Sequence, residues 1–227
     1  MELCTIKENN QGGIHLKYAQ LPLGPLQTNC YLLIKENKDC LIIDPGGEAT
    51  KLIKIMDDEK LNPKAILLTH AHFDHIGAVD DVKEKYQIPV YIHEKEKDWL
   101  IDPALNGSAR FQMGTAICLQ PADELFVKEQ EIDISGFSFK VLETPGHSPG
   151  SVSIYFADIA LLFGGDALFQ GSIGRTDLPG GHHETLLQSI HDKLLTLPED
   201  TLVLPGHGPV TTIANEMDTN PFLNGFS

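Results

Sequence analysis

Residues Leu67–Val79 read LLTHAHFDHIGAV, which puts His70, His72, Asp74 and His75 within six consecutive positions. Core packing does not ask for such a density of imidazole, because each ring needs partners for two nitrogens. The run before it, KAILLT (Lys64–Thr69), is mostly apolar, as expected of a strand buried on both faces. After it, Val79, Val82 and Tyr86 recur at helical spacing. The cluster therefore sits on a turn between a buried strand and an amphipathic helix.

Upstream, NCYLLI (Asn29–Ile34) and CLIIDPG (Cys40–Gly46) predict a hairpin that Asp-Pro-Gly ends sharply. Leu52, Ile55 and Met56 predict a helix from Glu48 that stops near Asn62–Pro63. Downstream, IPVYI (Ile88–Ile92) reads as a strand, HEKEKDWL as a short helix and DPALNGSARFQMG as a long surface loop. SFKVLE (Ser138–Glu143), SVSIYF (Ser151–Phe156), ALLFGG (Ala160–Gly165) and TLVLPG (Thr201–Gly206) read as further strands. ETLLQSIHDKLLTL (Glu184–Leu197) reads as a helix with Leu186, Leu187, Ile190 and Leu194 on one face. The tail TNPFLNGFS is expected to dock Phe222 and Leu223 on the core. With no linker, repeat or low-complexity tract, the expectation is one domain over residues 1–227. It is an α/β sandwich with two mixed β-sheets and helices outside.

The 227 residues carry 32 acidic and 17 basic side chains, a formal charge of -15. Such a surface repels phosphate backbones and acidic headgroups, which weighs against nucleic acid and membrane partners. MELCTIKENN has no leader pattern, and no apolar run approaches the roughly 20 residues of a membrane span. Cys4, Cys30, Cys40 and Cys118 lack C-x-x-C spacing and read as reduced thiols of a cytoplasmic protein.

The organisation becomes informative when the residue after each strand is read. KAILLT leads to the histidine cluster, SFKVLETPG to His147, ALLFGG to Asp166 and TLVLPG to His207. Strand ends of an α/β sheet converge where ligands bind, so seven ligand-type side chains are expected at one place. Carboxylates and imidazoles crowd together in a pocket only with positive charge between them, and divalent metal supplies it. Two three-ligand sets with a carboxylate between them make a two-metal site. The same donors accept zinc, iron or manganese, zinc being the first expectation. Other histidines have blander explanations. His15, His93 and His191 read as surface or core side chains, and His182 and His183 as loop or capping residues before a helix.

THAHFDH, TPGHSPGS, GGDALF and LPGHG, in that order and with DPG upstream, resemble the metallo-β-lactamase fold superfamily. The resemblance spans about Asn29 to His207 and implies a four-layered αβ/βα sandwich with the metals along one edge. Carried onto these residues, it implies one metal on His70, His72 and His147. It implies a second on Asp74, His75 and His207, with Asp166 bridging both.

Within the superfamily, GDALFQGSIGRTDLPGG is similar to the short, single-domain glyoxalase II-like thioester hydrolases (hydroxyacylglutathione hydrolases). Only 20 residues follow His207, whereas full-length glyoxalase II enzymes carry a C-terminal helical region that helps hold glutathione. The expected activity is hydrolysis of a small-molecule thioester such as S-D-lactoylglutathione by a metal-bridging hydroxide, in a monomer or small homo-oligomer. Metal brings the pKa of bound water to about 7, and the oxyanion formed is stabilised electrostatically. Asp74 is a candidate for orienting that hydroxide beside its ligand role. Arg175 is a candidate clamp for a substrate carboxylate, or else an internal partner of Asp177. A mononuclear-iron persulfide dioxygenase, whose relatives share the GRTD stretch, and a lactonase are the alternatives. A nuclease is set aside on charge, a secreted β-lactamase on the missing leader, and a non-enzyme on the completeness of the ligand set.

Overall fold

The computed structural model describes residues 3–5, 16–111 and 116–224. The chain divides into two units, Met1–Ile92 with Glu96–Leu125, and His93–Lys95 with Phe126–Ser227.

The first unit carries a seven-stranded sheet in sequential order: β1 (Leu3–Thr5), β2 (Leu16–Leu23), β3 (Thr28–Lys35), β4 (Asp39–Ile43), β5 (Asn62–Leu67), β6 (Val90–His93) and β7 (Glu124–Phe126). β1 to β4 pair antiparallel, whereas β4–β5 and β5–β6 are parallel. Parallel neighbours need crossovers, and helices supply them. α1 (Ala49–Asp58) joins β4 to β5, and α2 (Phe73–Ile76) with α3 (Val79–Tyr86) joins β5 to β6. α1 buries Leu52 and Met56, one turn apart, and α3 buries Val79 and Val82. These pack on Leu32, Ile42, Ile66 and Leu68, each such side chain contributing about 1.5–3 kcal/mol of burial. The predicted hairpin is β3–β4. β5 starts at Asn62, two residues before the expected strand, because α1 ends at Asp58 and Lys60 reverses the chain in the left-handed region. β2 has no counterpart among the expected strands, since Lys17, Gln20 and Pro22 interrupt its apolar alternation.

HEKEKDWL forms a tight helical segment at Glu94–Trp99. The expected long loop instead contains a short helix, α4 (Ser108–Phe111), and its Asn106 is fully buried. That asparagine replaces missing secondary structure, donating to the carbonyls of Trp99 and Ile117, each at 2.9 Å. The end of that loop, residues 112–114, and His15 lie outside the described residues.

The second unit holds a six-stranded sheet ordered β15-β14-β11-β10-β9-β8, built from β8 (Gln130–Ile134), β9 (Phe137–Glu143), β10 (Val152–Phe156), β11 (Leu161–Gly165), β14 (Leu202–Pro205) and β15 (Thr211–Thr212). β8 to β11 form an antiparallel meander, and β11 pairs parallel with β14. Between those two run the small hairpin β12 (Leu168–Phe169) with β13 (Ser172–Ile173), and α5 (His183–Ser189). The predicted helix over Glu184–Leu197 is two pieces. α5 gives way at Ile190–Leu194 to a wider turn, in which Leu195 N–H donates to the Ile190 carbonyl five residues back. The slip keeps Leu186, Ile190 and Leu194 buried against Leu162 and Val203. α6 (Ile213–Thr219) comes next, capped by the Thr212 hydroxyl, which accepts from Asn215 N–H. Leu223 packs on this core as expected. Phe222 does not, and is exposed. Among the described residues no helix is long and apolar enough to cross a membrane.

Candidate metal centre

In the first unit, β5 delivers the chain to Thr69 and the cluster. Asp44, immediately after β4, organises this turn from behind. Its carboxylate accepts the Thr69 backbone N–H at 2.8 Å and the Thr69 hydroxyl at 2.6 Å. With its proton committed to Asp44, the Thr69 hydroxyl accepts from Nδ1 of His70 at 3.1 Å. Asp44 also accepts from Nδ1 of His75 at 3.0 Å. A carboxylate and a committed hydroxyl can only accept here, so both rings carry their proton on Nδ1 and present a lone pair at Nε2. His70 and His75 are wholly buried.

Asp74 accepts the Thr28 hydroxyl at 2.8 Å through Oδ2. The same Oδ2 lies 3.7 Å from Nε2 of His75. The His72 ring stands perpendicular to that of His70, centroids 4.8 Å apart, and lies 5.6 Å from the ring of Trp99. Between the two, Ala71 N–H donates to buried Glu96 at 2.7 Å. Asp-Pro-Gly is the platform beneath: Ala78 N–H donates to the Pro45 carbonyl. A Cβ on Gly46 would stand 1.9 Å from the Asp74 carbonyl oxygen, so only glycine fits there. From the far side, Phe73 N–H donates to the Asn106 carbonyl.

The second unit brings together the other three expected ligands. His147 follows β9, Asp166 follows β11 and His207 follows β14. Nε2 of His147 and Nε2 of His207 each lie 3.6 Å from Asp166 Oδ2. His147 donates through Nδ1 to the Arg175 carbonyl at 2.8 Å, which again leaves Nε2 as the lone-pair nitrogen.

These spacings test the fit to metal. At 3.6–3.7 Å the Nε2-to-carboxylate pairs are beyond hydrogen-bond length. Two donors on one tetrahedral divalent ion, each about 2.1 Å from it, stand roughly 3.4 Å apart. Three imidazoles are fixed from behind through Nδ1, the outer-sphere arrangement that orients metal-binding histidines. Within each unit the donor pairs therefore have the spacing of ligands that share a divalent ion.

Among the described residues, the remaining histidines have structural places. His182 caps α5, its Nδ1 accepting from Thr185 N–H at 3.2 Å. Buried His93 sits 2.9 Å from a Glu143 carboxylate oxygen, while His183 and His191 are exposed. The Arg175 guanidinium makes two bonds to Asp177, at 2.7 and 2.8 Å, both residues exposed. That contact raises its pKa further above the usual value.

Sequence reasoning missed Thr28, Glu96, Asn106 and Glu216. Glu216 is fully buried, accepting from Gly171 N–H and from the side chains of Thr211, Asn215 and Asn220. It thereby ties the hairpin after Asp166 to the segment after His207. A lone polar residue in a helical or turn pattern carries no signal of burial.

Residues 23–207 match the family described as the Metallo-beta-lactamase superfamily. The chain belongs to the metallo-β-lactamase superfamily. Its fold is that of the superfamily, α/β with two mixed sheets flanked by helices. At the level of class it is a metallo-hydrolase of this superfamily, and its clustered His and Asp side chains are candidate ligands for divalent metal. The chain is 57% identical over 212 residues to the "Probable metallo-hydrolase YqgX" of Bacillus subtilis, covering 93% of this chain and all of that one. It is 40% identical over 208 residues to the "Hydroxyacylglutathione hydrolase GloC" of Haemophilus influenzae, covering 91% and 98%. Among solved structures, the BLEG-1 B3 metallo-beta-lactamase matches with a TM-score of 0.90 and 59% identity, over 92% of this chain and all of that one. TTHA1623 in a di-iron-bound form matches with a TM-score of 0.80 and 43% identity, over 90% and 100%.

Proposed function

We propose that this superfamily member is a two-metal hydrolase of small-molecule thioesters, S-D-lactoylglutathione being the first substrate to try. The two units act in it as one functional domain. One ion would be held by His70, His72 and His147 and the other by Asp74, His75 and His207, with Asp166 as a ligand available to both. The candidate ligand groups His70–His72–His147, His70–His75–Asp166 and Asp74–His75–His207 support this reading. Carrying the proposal is the back-side fixing of His70, His75 and His147 through Nδ1. Thioester as the substrate class is supported by the 40% identity to the hydroxyacylglutathione hydrolase.

Divalent ions, when bound there, would supply hydroxide near neutral pH and charge to offset a developing oxyanion. The chain's own residues do the rest. Asp44 and Thr69 hold His70 and His75 in one tautomer, and the Arg175 carbonyl does so for His147. Thr28 fixes one oxygen of Asp74, which orients the attacking oxygen or takes its proton. A thiolate leaves readily, so no strong general acid is required. Arg175 swings from Asp177 to a substrate carboxylate, an exchange between two bidentate partners at an exposed site. Arg175→Lys tests the clamp: KM rises while stability holds. Lost stability with unchanged KM rejects it.

Zinc is our first assignment for both ions, with iron open because of the di-iron neighbour. Cys30, Cys40 and Cys118 are free, which supports a reducing compartment, the cytoplasm, for a monomer or small homo-oligomer. Hydrolysis of S-D-lactoylglutathione and other thioesters by protein of measured metal content tests the proposal, and inertness toward all of them refutes it. A second reading, β-lactam hydrolysis, is favoured by the 59% identity to the BLEG-1 enzyme. Turnover of β-lactams by a preparation inert to thioesters would establish it instead.

A further inference from the structure

Beside Asp74, within the first unit, lies a small open cleft with a cavity volume of about 90 Å³. Its lining is mostly carbon, from Leu23, Pro25, Leu26, Phe73 and Ile117, with Ser108 and Asp74 as its polar side chains. Hydrogen bonds hold both flanking segments in place. The turn between β2 and β3 is locked by Gln27, whose backbone N–H and side-chain amide donate to the Gly24 carbonyl. Gly24 N–H is itself anchored on Glu48 at 3.1 Å. Across the cleft, Ile117 N–H donates to the Ser108 hydroxyl oxygen at 2.9 Å, and Asn106 grips the Ile117 carbonyl. Leu26 is 42% exposed at the rim, a large apolar side chain that no core requires there. A mostly apolar cleft with a few placed polar groups has the make-up of a small-ligand subsite, and Asp74 on its wall ties it to the proposed reacting centre.

We infer that this cleft receives the acyl group of the substrate, and that it selects apolar acyl groups over hydroxyacyl ones. The inference rests on the thioester reading above. With the carbonyl carbon near Asp74, the next few carbons of the acyl chain run along Phe73 toward Leu26 and Ile117. Each methylene buried there leaves water for hydrocarbon. A hydroxyl on the acyl group instead gives up its water against a lining that is mostly carbon, where the Ser108 hydroxyl oxygen already accepts from Ile117 N–H.

A series of thioesters on one small neutral thiol, N-acetylcysteamine, tests this with metal-loaded protein. The acyl groups are lactoyl, propionyl, butyryl, pentanoyl and hexanoyl. Expected is propionyl cleaved at least several-fold better than lactoyl, with kcat/KM then rising about fourfold per methylene until the cleft is filled. Leu26→Asp, a change at an exposed position, flattens that rise while metal content and Tm remain those of the wild type. Lactoyl cleaved as well as propionyl, with no rise along the series, overturns the apolar pocket and leaves the thioester reading standing. A rise undiminished in Leu26→Asp overturns its placement. Inertness toward every thioester overturns both readings together.

Discussion

Asp44 Oδ2 lies 3.0 Å from Nδ1 of His75, 31 residues further along the chain. The same carboxylate holds the Thr69 N–H and hydroxyl, so one side chain sets the tautomers of two proposed ligands. Asp44→Asn would bring an amide donor into a place where three donors already point. One of them loses its acceptor, at a cost of about 1–3 kcal/mol. Metal affinity should fall roughly 10- to 100-fold, the usual penalty for losing an outer-sphere carboxylate. Competition against a chromophoric chelator measures the second effect and urea denaturation the first. Unchanged metal affinity would remove Asp44 from the site.

A pair of glycines separates site geometry from backbone freedom. A Cβ on Gly174 would stand 1.8 Å from the Asp166 carbonyl oxygen and 3.3 Å from the His147 Cβ. On Gly171 it would meet nothing within 4 Å, although φ there is +65°. Gly171→Ala should therefore cost only about 1 kcal/mol, the left-handed penalty, and keep its metal. Gly174→Ala has to push the backbone of Asp166 aside and should lose metal as well as stability. Equal effects of the two substitutions on metal content would contradict this geometry.

The sequence made legible whatever was written as periodicity or as a clustered motif. β3, β5, β9, β10, β11 and β14 carry dense apolar runs, and each proposed ligand follows such a strand, which is why both could be read. β2 and β8 lack such a run: Lys17 and Gln20 in one, Glu131 and Asp133 in the other, stand between the apolar positions. Nor could the outer sphere be read. Thr28, Glu96 and Glu216 are buried by partners 46, 25 and 45 residues away, and single polar residues announce no such pairing. Asp44 stands in a visible Asp-Pro-Gly, yet reads as a turn; its role lies in a contact with a distant strand end.

The cysteines offer a chemical check. Burial pushes the Cys40 thiol up to about 12, with Asp39 adding to the shift and Lys64 opposing it. Burial, then Asp44 and Cys40, also raises Cys30 well above its usual value. At pH 8 only about one Cys40 in ten thousand is thiolate, the reactive form. Cys118 is exposed. Brief alkylation of native protein followed by peptide mass mapping should modify Cys118 and spare Cys30 and Cys40. Modification of Cys40 at a rate like that of Cys118 would contradict the packing of β4.

Acid stability has a local contributor at Asp123. Burial alone would raise its pKa, but Lys83 at 2.9 Å and the Val90 N–H outweigh it and hold the carboxyl below the usual range. A depressed folded pKa stabilises above the unfolded value of about 3.9, and the gain vanishes as pH falls through the folded value. Asp123→Asn should thus cost under about 1 kcal/mol at pH 7, because the pair is partly exposed, and nothing once the carboxyl is protonated. Denaturation at pH 7 and below pH 3 checks the sign; a cost that grows with acid would reverse it.

In the proposed reaction, hydrolysis depends on seven side chains at four strand ends holding two ions. Metal content and thioester turnover of the same preparation, wild type beside Asp166→Ala, put that dependence to the test. Two divalent ions per chain and turnover are expected in the wild type, with both reduced in the variant. One iron per chain with oxygen consumption on a persulfide, or an Asp166→Ala protein with full metal and full turnover, would contradict it.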